Sequence, residues 1–178
     1  MKKLTMFLLV AILVLGASVI AGAVVVTLPD ESQTTTFTAT VAEQADVTVP
    51  ATVTFTVNDV TTTTAGTGAV SATSIVLADT KTLKIYLQGD AASFTPPAAG
   101  GTTWDVGDVS WAAGAWTNGT GASGTLSNVA YNEVATSAAN APSTSSTITF
   151  TLAAKATADP AVKAGDHALT ATWKFESL

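Results

Sequence analysis

The sequence predicts an all-β protein, an antiparallel β-sandwich of about seven to ten strands. Three observations carry that prediction. Thr makes up about a fifth of the chain after residue 23, and Val, Ser, Ala and Gly are abundant beside it; β-branched residues favour strands. Apolar residues recur with period two rather than 3.6. Gly, Pro and Asn signals separate the alternating stretches, and no convincing amphipathic helix appears after the leader. A barrel is the alternative architecture.

The leader comes first. Lys2 and Lys3 precede an apolar run, residues 4–15, broken only by Thr5. Small residues follow, "GASVIAGA", ending in the A-x-A pattern Ala21-Gly22-Ala23. This is the pattern of a signal peptide over residues 1–23, cleaved after Ala23. The alternative is an uncleaved anchor, because residues 4–26 carry no charge and are long enough to cross a bilayer. The chain has no Cys, so a lipoprotein anchor is excluded, and the leader of a type IV pilin is also missing. The protein is expected to be secreted and extracellular, at the cell surface. A membrane would be met only through this segment.

Residues 24–33 form an extension and residues 34–178 the sandwich. In "TTTFTATV" the apolar positions are Phe37, Ala39 and Val41, which predicts a strand joined through Glu43-Gln44-Ala45 to the next. From 47 to 57 every odd position is apolar: Val47, Val49, Ala51, Val53, Phe55 and Val57. The even positions from 46 to 56 are Asp, Thr or Pro, giving one wet face. Pro50 lacks a backbone donor, so a bend, bulge or edge position is expected there. "TTTTAGTG" reads as a loop and 69–77 as a strand. After a turn at Asp79-Thr80-Lys81, "LKIYLQ" returns as the second arm of a hairpin, with Leu83, Ile85 and Leu87 inward. The middle of the chain, rich in Gly and Trp, reads as long loops with short strands at 109–111 and 115–116. Strands resume at 127–135 and 147–152. The last covers 167–175, with Leu169, Ala171, Trp173 and Phe175 inward.

Little in this composition supports catalysis. The formal net charge is −6, and all seven basic residues are Lys. Nucleic acid is a poor partner, since phosphate binding uses clustered Lys and Arg. Without Cys there is no disulfide framework, and with one His, zinc is not expected. His167 lies beside Asp166, but no nucleophile stands out among the many Ser and Thr, so an enzyme is not predicted. Asp105 and Asp108 in "WDVGDV" are the calcium candidates, against a plain solvated Asp-Gly turn; the spacing is not that of an EF-hand. No other cofactor is expected. Trp104, Trp111 and Trp116 either stack on surface glycans from loops or plug one end of the sandwich. Asn118-Gly119-Thr120 is an N-glycosylation sequon, or a chance match to one.

"VTVPATVTFTVNDV" and "VKAGDHALTATWKFES" resemble segments of small secreted immunoglobulin-like sandwich proteins. The pattern is similar to spore coat protein U and the chaperone–usher pilins, and more loosely to camelysin-type biofilm-matrix fibre proteins. The resemblance implies an immunoglobulin-like sandwich and a place in a surface fibre. The chain departs from the spore coat group in lacking cysteines and in carrying the Trp-rich insert.

One question is left by "AVVVTLPDESQTTTF". Val24, Val26 and Leu28 alternate with Val25 and Thr27, and "PDESQ" cuts them off from the body. Such a peptide can add to an exposed sheet edge of another molecule. It can also pair within its own sandwich, or end an uncleaved anchor. The reading adopted is a structural filament, pilus or matrix subunit. Its donor residues are Val24, Val25, Val26, Leu28, Phe37 and Val41, and self-association is its main partnership. The other reading is a glycan-binding module using the Trp-rich loops.

Overall fold

A computed structural model describes residues 35–99, 101–155 and 162–178. The chain divides into two units, residues 1–39 and 40–178. The leader and Val24, Val25, Val26 and Leu28 lie outside the described residues.

The second unit is an antiparallel β-sandwich. Its strands are β1 (Gln44–Thr48), β2 (Thr64–Val76), β3 (Leu83–Gly89), β4 (Val109–Trp111), β5 (Gly119–Gly121), β6 (Gly124–Thr125), β7 (Asn132–Ser137), β8 (Thr144–Leu152) and β9 (Ala171–Ser177). One sheet has the order β1-β2-β8-β4-β6 and the other β5-β7-β3-β9.

The alternation seen in the sequence is what buries the core. On β3, Leu83, Ile85, Leu87 and Gly89 face inward. On β8 it is Ile148, Phe150 and Leu152, and on β2 Gly66, Gly68, Val70 and Ala72. These faces meet with Trp104, Trp111 and Val134 between them. A strand carrying apolar residues on one face has to cover that face, and two sheets face to face do so.

Several elements differ from expectation. β2 and β3 are not a hairpin: β2 pairs with β1 and β8, and β3 with β7 and β9. The turn between them, with Thr80 at φ 70, carries the chain from one sheet to the other. Most of "TTTTAGTG" is strand, not loop. The turn lies earlier, where the Asp59 carboxylate accepts from Thr61 N at 2.8 Å and Thr61 Oγ1 at 2.7 Å. Residues 115–116 form no strand; β5 and β6 follow them instead. The strand expected at 127–135 is β7, shifted toward the C-terminus, and the last strand starts at Ala171 rather than at His167. Residues 37–41 form no strand, and Phe37 and Val41 are 93% and 73% exposed.

Pro50 interrupts the alternating run, and a bend at Ala51 follows it, as its missing backbone donor leads one to expect. The strand before it ends at Thr48. Residues 52–57 belong to no ladder, but Val53, Phe55 and Val57 are half-buried at alternate positions and still pack against the core.

Candidate functional site

The outer edge of the β3–β9 sheet is β9. Its hydrogen-bond phase follows from three flanking bonds. Thr82 and Leu178 exchange N–H···O bonds of 2.8 and 3.1 Å, and Asp90 N donates to Thr170 O at 2.9 Å. With the register Lys84↔Glu176, Tyr86↔Lys174 and Gln88↔Thr172, the even-numbered residues of β9 bond to β3. In an antiparallel pair the intervening residues turn their backbone groups the other way. The N–H and C=O groups of Ala171, Trp173, Phe175 and Ser177 therefore point off the free edge. No strand among the described residues pairs there.

Segment 50–57 shares a cavity with Ala171 and Trp173 of β9. Its side chains lie over the inner face of β2, where glycine makes room for them. A Cβ on Gly66 would come within 2.7 Å of Thr54 O, and one on Gly68 within 2.8 Å of Pro50 Cγ. Between this segment and residues 162–171 lies a cavity of about 890 Å³, lined by Val53, Phe55, Leu87, Phe150, Leu169 and Trp173 among others. The site thus joins a row of outward-facing backbone groups to a trough lined by these apolar side chains together with Thr52, Thr54, Lys163, Asp166 and His167.

A complete immunoglobulin-type sandwich carries ABED in one sheet and CFG in the other. Here β1, β2 and β8 are neighbours as A, B and E are, and β3 and β9 as C and F are. The free side of β9 is the position of G.

The other candidate residues are accounted for differently. Trp104 and Trp111 are 4% and 3% exposed. Their indole N–H groups donate to Ala153 O at 2.9 Å and Ala122 O at 3.0 Å. Both rings are core, whereas Trp116 is half-exposed. Asp108 Oδ2 accepts from Asp105 N at 2.9 Å and faces Lys155 Nζ at 3.4 Å. It closes a single 3-10 turn, Val106–Asp108. No group of three or more candidate metal ligands occurs among the described residues.

His167 sits at the rim of the cavity. Its Nε2 is 2.9 Å from Lys163 O and its Nδ1 2.8 Å from Thr103 Oγ1. A carbonyl only accepts, so Nε2 carries a proton toward Lys163 O, and Nδ1 is hydrogen-bonded to the Thr103 hydroxyl. Both ring nitrogens are engaged away from Asp166, and the ring meets Trp104 edge-on at 5.2 Å. Its role here is to fasten the approach to β9.

Sequence reasoning placed Val53, Phe55, Leu169 and Trp173 in the core and missed that they frame a trough. Their alternation is the same whether or not a neighbouring strand is present. The pair Gly66 and Gly68 was the available signal, since glycine inside a strand marks a close backbone approach.

No protein-family model, curated protein or solved structure matches the chain.

Proposed function

We propose that the protein is a structural subunit of an extracellular filament, pilus or biofilm matrix. Subunits assemble by adding the N-terminal extension of one copy to the β9 edge of the next. The observation that carries this reading is the edge of β9, where no strand among the described residues pairs and the backbone groups of Ala171, Trp173, Phe175 and Ser177 adjoin a trough of about 890 Å³.

An extended peptide laid there gains hydrogen bonds along the edge and seats alternate side chains in the trough. The chain supplies such peptides. Val24, Val26 and Leu28 alternate in sequence, and Phe37 and Val41 carry apolar side chains in the open. Fully burying one Val or Phe side chain contributes about 1.5–3 kcal/mol, so each seated side chain offsets part of the cost of ordering the segment. Donor and acceptor are different surfaces, so the contact is head-to-tail, and one that does not close on itself grows a filament.

The test is negative-stain electron microscopy of chains starting at Val24, Thr34 and Glu43. All three retain β1 to β9. Filaments from the first and single particles from the last are the expected result. The middle chain shows whether Val24, Val26 and Leu28 or Phe37 and Val41 form the donor. Filaments from the chain starting at Glu43 would overturn the reading, as would single particles from all three.

A further inference from the structure

The β3–β9 sheet has a second outer edge, β5, and the chain around it is unusual. No charged side chain lies between Asp108 and Glu133. Ala112, Ala113, Gly114, Ala115, Thr117 and Asn118 are nonetheless exposed. Hydrogen bonds from Ala138 N to Asn118 O and from Ala122 N to Val134 O set the phase of β5 against β7. By the same alternation as on β9, Gly119 and Gly121 turn their N–H and C=O groups off the free edge. Two glycines and no charge leave this edge guarded only by its shortness, three residues.

Asn118-Gly119-Thr120 begins this edge. We infer that Asn118 is an N-glycosylation site, and that its glycan shields the β5 edge. Asn118 is exposed and stands in the left-handed region at φ 50, at the turn into β5, a conformation Asn tolerates better than most residues. Its amide Nδ2 lies 3.3 Å from Ser143 O. That contact uses one of two N–H groups, leaving the other directed elsewhere. Thr120, which completes the sequon, is also exposed.

The donor is a polyisoprenyl-phosphate-linked saccharide, delivered by a transferase outside the membrane. Nδ2 attacks the anomeric carbon and the new C–N bond forms. The bond from that carbon to the phosphate oxygen breaks, the lipid phosphate leaves, and Nδ2 gives up one proton to the enzyme's base. There is no change of oxidation state.

The test is mass spectrometry of the full chain isolated from its own cells, with the peptide containing Asn118 sequenced. The expected result is a mass gain of whole monosaccharide residues on Asn118. The gain should be lost in Thr120→Ala, which keeps Asn118 and its turn, and retained in Thr120→Ser. An unmodified Asn118 in the native protein would overturn the assignment without recourse to any variant. A gain that survives Thr120→Ala would overturn it too, because the sequon would not be its cause. Neither outcome depends on filament assembly.

Discussion

Val53 stands where a side chain on Gly66 would have to be. A Cβ built on Gly66 lies 2.9 Å from Val53 Cγ1 and 2.7 Å from the carbonyl oxygen of Thr54. The bare strand surface at Gly66 lets segment 50–57 lie close enough to wall the trough, although no ladder holds it. Gly66→Ala should therefore push the segment outward and lower stability by about 1–3 kcal/mol, as overpacking does. Gly107 is the control: a Cβ there meets nothing within 4 Å, so Gly107→Ala should stay within about 0.5 kcal/mol of the parent. Urea midpoints decide it, and equal midpoints for the two variants would show that the segment yields freely.

Donor and acceptor can be disabled separately. Phe37 is 93% exposed, so Val26→Asp with Phe37→Asp should leave the melting temperature within a degree or two, while a charge enters the trough and filaments disappear. Ala171 is the first residue of β9 and its N–H faces the free edge, a place where proline is tolerated. Ala171→Pro should keep the β3 ladder and block the incoming strand. Neither variant should polymerise alone. Mixed, the intact donor of the second meets the intact acceptor of the first, so the mixture should yield dimers and stop there. Light scattering with size-exclusion chromatography reads this directly, and long filaments from the mixture would contradict a one-donor, one-acceptor joint.

The period-two pattern was enough to read the sandwich and the inward faces of β3, β8 and β9, because burial of one face imposes it. It could not say which strands are neighbours. Leu83, Ile85 and Leu87 alternate equally well beside β2 or across the core from it, so the hairpin was misread. Nor does alternation require a partner: Val53 and Phe55 follow the rule with no ladder beside them. The Gly66 and Gly68 pair, taken as a loop signal, is a strand that something else lies upon. Trp104 and Trp111 left a platform and a plug both open, because their Gly-rich surroundings hide the internal carbonyls that take their N–H groups. The open slot itself depends on strand order, which is set by contacts distant in sequence.

Acid should weaken the β3–β7 pairing in a defined direction. The Glu133 carboxylate is held below its ordinary value of 4.5, first by Lys84 Nζ at 2.7 Å and then by the Thr136 hydroxyl at 2.7 Å. A carboxyl lowered in the folded state contributes stability above its unfolded pKa, and that contribution is lost as pH falls through the lowered value. Lys84 is raised above 10.5 by its hydrogen bond to Glu133. Its contribution is full below 10.5 and is lost as pH rises through the raised value. From this pair alone, thermal midpoints should be flat from pH 5 to pH 9 and fall below about pH 4.5. Glu133→Gln should flatten the acid limb. An unchanged acid limb would mean that other carboxylates carry it, among them Glu43 and Asp59. These are lowered in the same direction, by hydrogen bonds from Ala78 N and from Thr61.

The last expectation separates a core role for the tryptophans from a sugar-binding one. Trp111 packs against Phe150 at 6.3 Å between ring centres and covers Gly124, whose missing side chain leaves room for the indole. Trp104 lies between His167 and Lys155, with the Lys155 ammonium 5.7 Å from the ring centre. Truncating a buried Trp costs about 3–5 kcal/mol, through lost burial and the cavity left behind. Each also strands a carbonyl, Ala122 O or Ala153 O. Trp111→Ala and Trp104→Ala should therefore lower the denaturation midpoint sharply and erase much of the near-ultraviolet circular dichroism. Trp116→Ala, half-exposed, should cost less. Folded, stable Trp104→Ala and Trp111→Ala proteins that had lost retention on immobilised glycans would return the function to those rings. Unstable variants, with the parent protein unretained on the same columns, are what the packing requires.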